Sequence, residues 1–221
     1  GILSVAKHFP GHGDTAEDSH YTLPAVHHDR ARLDSVELLP FKRYIYDGYA
    51  GVMTGHLYVP ALDKARNKPV SMSRAVVTDL LQKELGFRGL CFTDALAMKG
   101  ATTRKSDNPS VMALLAGNDI LLAPTAPIND FAAVKEALEE GILDREEIEA
   151  KIIKILQYKY IAGLNDYRPV ETKGLSERLN SPHAAWLAAK LNEEAITLLK
   201  NEGDIIPLKQ LDKKKISALS I

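Results

Sequence analysis

Three histidines, two aspartates and a lysine fall within the fourteen residues from Lys7 to His20. They lie in Lys7-His8-Phe9-Pro10-Gly11-His12-Gly13-Asp14-Thr15 and, two residues on, Asp18-Ser19-His20. Histidine gives and takes protons near neutral pH, and a carboxylate can attack, orient a base or hold charge. The same residue types could also hold a metal ion. A solvated loop is the bland alternative, because Gly and Pro shape the backbone and polar residues belong on surfaces. Two features weigh against it. The cluster follows the apolar run Ile2-Leu3-Ser4-Val5-Ala6, which reads as a short buried strand. About 25 residues then pass before a convincing helix, and connections of that length in compact domains are usually functional or disordered.

Elements that would position these residues follow in order. Asp34 or Ser35 can cap a helix carrying Val36, Leu38, Leu39, Phe41 and Tyr44, stopped by Gly48. A strand at 50–54 ends on Gly55-His56, and residues 57–71 have no helical period. Ser73 can cap a helix at 74–85, with Val76, Val77, Leu80 and Leu81 on one face and Gly86 as its stop. A third strand at 89–93 ends on Asp94, and a short helix at 111–116 is stopped by Gly117. A fourth strand is expected at 119–123, ended by Pro124. An amphipathic helix follows at 127–140 with Phe131, Val134 and Leu138 inward, then another at about 144–160 presenting Ile148, Ile152, Ile155 and Leu156.

Four strand-helix repeats with near-continuously apolar strands belong to a parallel sheet covered on both faces. The first strand-to-helix turn lacks the glycine fingerprint of dinucleotide-binding folds. Lys7 and His8, His56 and Asp94 fall at the ends of successive strands, and in a (β/α)₈ barrel such ends converge on one mouth. The expected fold is therefore α/β, a partial barrel of its last four strand-helix units over residues 1–162. A half barrel leaves edges and core uncovered, so its other half is expected upstream or from another polypeptide. The chain opens without Met on a core-like strand, which also places the expected native start upstream. Residues 163–205 read as a linker and connecting helix, with Ser181-Pro182 starting a helix that runs to about Leu199. In it, Trp186, Leu187, Leu191, Ala195 and Leu198 are expected inward, and Asn201-Glu202-Gly203-Asp204 forms a turn. Residues 206–221 read as the first strand of a truncated second α/β domain.

Composition is that of an ordinary globular protein, with 45% hydrophobic and 26% charged residues. A net charge of -1 gives no argument for nucleic acid or an anionic membrane as partner. The single cysteine, Cys91, excludes an internal disulfide framework and reads as a buried small hydrophobe. No apolar run approaches the roughly 20 residues that span a bilayer.

The 7–20 motif resembles that of the glycoside hydrolase family 3 β-N-acetylglucosaminidases. So does Gly86-Phe87-Arg88-Gly89-Leu90 through Thr93-Asp94-Ala95-Leu96-Ala97-Met98. Ala195-Ile196-Thr197-Leu198-Leu199-Lys200-Asn201 with Ile206-Pro207-Leu208 is similar to the junction between that family's barrel and its second domain. The resemblance implies a retaining exo-β-N-acetylglucosaminidase acting on terminal N-acetylglucosamine of peptidoglycan fragments, with no cofactor. It makes Asp94 the nucleophile, His20 the general acid/base and Asp18 its partner. Lys7 and His8 would hold sugar hydroxyls, with His56 and Met98 as further candidate substrate contacts. It also implies an extracytoplasmic site, the periplasm or cell envelope of a bacterium. The chemistry is coherent, because a retaining glycosidase needs a carboxylate for the anomeric carbon and a proton donor for the leaving oxygen. A histidine beside an orienting aspartate can supply the second.

Three rival readings stand beside this one. A β-glucosidase of the same family would share the Lys7-His8 pair, but the loop of those enzymes does not continue through this glycine-rich stretch to Asp18-Ser19-His20. A metal-dependent barrel hydrolase would gather His8, His12, Asp14, Asp18, His20, His56 and Asp94, although no pair has a specific ligand spacing. A non-catalytic sugar-binding fragment would keep the motif without turnover. Outside the core motif, His12 is expected to shape the loop, His27 and His28 to form a solvated pair, and Arg30 at most to contact a helix start.

Overall fold

The computed structural model describes residues 2–17, 19, 21–101, 107–213, 215 and 217. Asp18 and His20 lie outside the described residues, as do 214, 216 and 218–221 of the expected terminal strand. The chain divides into two compact units, residues 1–167 and 168–221.

The first unit is built on a three-stranded parallel sheet of order β1-β2-β3: β1 Val5–Phe9, β2 Gly51–Thr54 and β3 Leu90–Thr93. β1 starts later than expected and runs through Lys7 and His8, so the polar cluster begins inside the strand. β1 pairs Val5 with Gly51, Ala6 with Val52 and Phe9 with Thr54, and its register shifts between Ala6 and Phe9. Such an irregularity re-aims side chains, and here it falls on Lys7 and His8. The peptide bonds Lys7–His8 and Phe9–Pro10 are cis.

The expected fourth strand reduces to one bridge, Ile120 beside Phe92. Side chains interrupt the ladder there. The Asp119 carboxylate takes the Cys91 N–H at 2.8 Å, Thr93 Oγ1 takes the Leu122 N–H at 3.0 Å, and Ala123 turns into the left-handed region.

Two helices replace the single one expected after the cluster, α1 Arg30–Ser35 and α2 Leu39–Tyr46. Pro40 is the physical reason, since a helix running through it would set its ring against the carbonyl of Val36. Pro40 sits instead in the first turn of α2. Asp29 caps α1 by accepting the Arg32 N–H at 2.8 Å. Asp34, expected as a cap, accepts from Arg30 and Lys42, and these two cations hold its carboxyl below the usual range. Val36 and Leu39 are exposed, while Leu33, Leu38 and Phe41 enter the core.

Helix Ala75–Glu84 is of π type, closing with Leu85 N–H on the Leu80 carbonyl. Ser73 donates its hydroxyl to Asp63 rather than capping the helix. α3 Pro109–Ala116 is capped by Asn108 and stopped by Gly117 at φ 115°. A Cβ on Gly117 would meet Thr78 Oγ1 at 2.4 Å, so glycine lets α3 seat on the π helix. α4 Pro127–Glu139 buries Ala137, with Val134 and Leu138 packed alongside, but Phe131 is 74% exposed. α5 Arg145–Ile161, capped by Asp144, buries none of its residues. Ile148 packs on the Leu114–Ala137–Leu143 cluster, while Ile152 and Leu156, expected inward, are exposed. The principal core contains Phe9, Val52, Leu57, Val76, Leu81 and Cys91. Burial raises the Cys91 thiol pKa to about 11, with Asp119 adding to the shift.

The second unit carries α6 Leu175–Leu179 and α7 Pro182–Ala195. Ser181 caps α7, accepting from Ala184 N–H at 3.2 Å, and Pro182 stands in its first turn. α7 stops at Ala195, four residues before the expected end. Trp186, Leu187, Leu191 and Leu198 are exposed rather than inward. A short 3₁₀ turn at Glu202–Asp204 occupies the expected turn. Among the described residues, no helix is long and apolar enough to cross a membrane.

Candidate active site

Asp94 follows directly on β3. Its N–H donates to the Thr54 carbonyl at 2.9 Å, which extends the β2–β3 pairing and fixes the backbone. Carboxylate Oδ1 accepts the Ala95 N–H at 2.8 Å, while Oδ2 stands 3.5 Å from His8 Nε2. The residue is 9% exposed. β1 and β3 lie on either side of β2, so parallel pairing through β2 brings His8 and Asp94 together. The structure thus joins two residues 86 positions apart in the sequence.

Lys7 is exposed and lines, with His8, a cavity of about 720 Å³ between β1 and α2. Asp94 does not line it. Met98 is half-buried in the turn after Asp94, its N–H on the Ala95 carbonyl at 3.0 Å.

His56 lies behind Asp94. It is fully buried, its Nδ1 lies 2.8 Å from Ser71 Oγ, and its Nε2 lies 3.1 Å from the Ala95 carbonyl. A carbonyl only accepts, so Nε2 carries the proton and Nδ1 accepts from Ser71. Burial lowers the His56 pKa against the opposing pull of the Ala95 carbonyl and Asp94, keeping the ring neutral. Both nitrogens are engaged, and through the second His56 steadies the residue next to Asp94.

A buried polar network stands behind it that sequence reading missed. Asn118 Nδ2 donates to the Ser71 carbonyl at 2.7 Å and to that of Ala113 at 2.9 Å, and Asn118 Oδ1 accepts from Thr54 Oγ1 at 2.9 Å. Thr54, Asn118, Ser71 and His56 thereby link the ends of β2, α3 and the 57–71 segment to the backbone beside Asp94. The only sequence signal was an asparagine between a helix-stopping glycine and an apolar run, which is too common to single out.

His12 shapes the loop as expected. Its Nδ1 is 2.7 Å from Thr15 Oγ1, its Nε2 is 3.2 Å from Ser19 Oγ, and its ring meets His8 edge-on at 5.7 Å. His28 is not a purely solvated residue, because its Nε2 lies 2.6 Å from Asp14 Oδ2. Arg30 goes beyond a helix-start contact and pairs with both Asp34 and Glu84.

Among the described residues, the group whose atoms approach closely enough for a metal ion is Asp14, His28 and Glu37, within 4.8 Å of one another. It shares only Asp14 with the set expected for a metal hydrolase. The Arg32 guanidinium already stands there, 3.1 Å from Glu37 and 3.7 Å from Asp14, and supplies the positive charge these carboxylates need.

Comparison with known proteins places this geometry. The family model for the glycosyl hydrolase family 3 N terminal domain matches residues 1–158. The chain is 35% identical to β-hexosaminidase A of Pseudoalteromonas piscicida, over 95% of this chain and 38% of that protein. It is similar to the structure of a glycoside hydrolase family 3 β-N-acetylglucosaminidase from Paenibacillus, with TM-score 0.83 and 35% identity, covering 91% of this chain and 39% of that one. A β-glucoside phosphorylase is also similar, with TM-score 0.85 and 26% identity, covering 94% of this chain and 39% of that one. The chain thus spans well under half the length of these relatives. With the family model covering the whole sheet and the residues around Asp94, this chain belongs to the glycosyl hydrolase family 3 N-terminal domain family.

Proposed function

We propose that the polypeptide carrying this chain is a retaining exo-β-N-acetylglucosaminidase that releases terminal β-linked N-acetylglucosamine, with peptidoglycan fragments as its source. The observation that carries the reading is Asp94: a carboxylate fixed at a strand end by Ala95, facing His8, in a family 3 chain. Likeness to the Paenibacillus β-N-acetylglucosaminidase supports the choice of sugar.

In the first step an Asp94 carboxylate oxygen attacks the anomeric carbon while the glycosidic bond breaks, and the leaving oxygen takes a proton from His20. In the second, water attacks the same carbon, gives its proton to His20, and the bond to Asp94 breaks. Asp18 orients the imidazole and stabilises its charged form. Lys7 and His8 hold sugar hydroxyls and Met98 packs nearby, while His56 acts through Ala95 rather than on the sugar. Residues 1–162 would form the C-terminal half of a (β/α)₈ barrel, 163–205 a linker, and 206–221 the start of a second domain. The parallel order β1-β2-β3 and the fraction of each relative that the chain spans support that reading.

The test uses the complete polypeptide with 4-nitrophenyl β-N-acetylglucosaminide and the β-glucoside, each with and without phosphate. Preference for the acetamido sugar is expected, with mass spectrometry trapping a glycosyl group on Asp94 from a fluorinated donor. Asp94→Ala should abolish turnover. His20→Ala should lower it by roughly 10²- to 10⁴-fold, the usual range for general acid–base catalysis. Full activity without Asp94 would sink the assignment. Phosphate-dependent release of a sugar phosphate from the glucoside would favour a phosphorylase, the reading that the β-glucoside phosphorylase likeness supports.

A further inference from the structure

The turn after Asp94 and the loop carrying Ser19 meet at one glycine. Gly100 N–H donates to the Ser19 carbonyl at 3.2 Å. A Cβ built on Gly100 would stand 2.9 Å from the carbonyl oxygens of both Ser19 and Thr22, and 3.0 Å from His56 Cβ. Both oxygens belong to backbone and cannot swing aside as a side-chain tip would. Each partner is tied down from its own side. Ser19 is buried, with its Oγ 3.2 Å from His12 Nε2, and His12 is braced by Thr15. The turn is held by Met98 N–H on the Ala95 carbonyl and Ala101 N–H on the Met98 carbonyl, both at 3.0 Å. His56 Nε2 holds the same Ala95 carbonyl.

We propose that Gly100 is a positioning residue whose missing side chain sets the distance between the Asp94 segment and the Ser19 segment. This rests on the reading of Asp94 and His20 given above. Ser19 is bonded through its carbonyl to His20 in the sequence, so a strain on that carbonyl is read out on the proton donor of the proposed function. Alanine at 100 has to push that backbone outward by several tenths of an ångström. The Asp94 segment yields less, because its own bonds to the Thr54 carbonyl and the Ala95 N–H do not involve Gly100, and the approach to His56 Cβ, at 3.0 Å, is longer than those to the two carbonyls.

The defect should therefore fall on proton transfer. The experiment compares Gly100→Ala and Ser19→Ala with the wild-type complete polypeptide, on 4-nitrophenyl and on methyl β-N-acetylglucosaminide, with and without azide. 4-Nitrophenoxide leaves with little need of a proton, whereas methoxide needs one, and azide attacks without a general base. Gly100→Ala is expected to lose roughly 10-fold in kcat/KM on the methyl glycoside, a part of the roughly 10²-fold that a full ångström of misplacement can cost. It should lose far less on the nitrophenyl substrate, with azide raising nitrophenyl turnover and yielding the glycosyl azide. Ser19→Ala removes the tether to His12 without adding volume and should show the same split more weakly. It decides the question if Gly100→Ala fails to fold. Equal loss on both substrates without azide rescue in a folded variant would overturn the proposal, as would a wild-type profile in Ser19→Ala. Failure of the wild type on both substrates would instead count against the proposed function.

Discussion

At the scale of single residues, the site rests on side chains whose hydrogen-bonding capacity is already committed. His56 is the clearest case: a buried imidazole held neutral between a hydroxyl and a carbonyl. That arrangement has a pH signature. In the unfolded chain His56 titrates near 6.5, as an unperturbed histidine does. In the folded protein its pKa is lower, because burial penalises the cation more than Asp94 and the Ala95 carbonyl favour it, and His8 adds to the penalty. Below about pH 6.5 the unfolded state thus binds a proton that the folded state refuses. The His56 contribution to stability is complete above that value and is lost as pH falls toward the folded pKa. Melting temperatures measured from pH 8 to 5 should fall more steeply for wild type than for His56→Asn, and parallel curves would contradict the assignment.

Between elements, a buried ion pair and a buried amide network join helices to strand ends. The Asp119 side chain is fully buried, takes the Cys91 N–H at 2.8 Å and pairs with Lys154 of α5 at 2.8 Å. The pair ties α5 to β3, a helix that buries none of its own residues. Removing one partner of such a pair leaves a charge and a backbone donor unmatched. Asp119→Ala should therefore cost about 3 kcal/mol in urea denaturation, since breaking a buried pair typically costs about 3–5 kcal/mol. Lys154 is partly exposed, so Lys154→Met should cost less. A loss below about 1 kcal/mol for Asp119→Ala, the worth of a surface pair, would show that solvent already screens the pair.

At the scale of the whole molecule, each unit shows apolar surface to solvent. α5 exposes Ile152, Ile153, Leu156 and Tyr160, and α7 exposes Trp186 and Leu191. Contiguous apolar patches on soluble proteins mark contact sites or association hazards. The 221-residue chain by itself is accordingly expected to associate as its concentration rises, seen as an increasing sedimentation coefficient. Ile153→Lys with Leu156→Glu should suppress the rise. A concentration-independent monomer would show that these side chains are covered in solution.

The sequence alone determined where β2 and β3 end and which residues follow them. Short-range chemistry writes both: Gly55-His56 closes one apolar run, Asp94 closes another, and Ser181 and Gly117 mark helix ends in ways any chain must obey. It misjudged α1 and α2 by running a helix through Pro40, a local rule that was legible and went unused. Tertiary structure decided the rest. Whether Ile152, Leu156, Phe131 and Trp186 lie inward depends on what stands opposite them, and periodicity shows a face without its partner. Whether residues 119–123 make a strand depended on Asp119 and Thr93 taking the N–H groups of neighbouring segments. His56 is held at both nitrogens because Ser71 and Ala95, distant in sequence, reach them. Such pairings exist only once the chain has closed on itself, which is why a residue's type was legible in the sequence and its role was not.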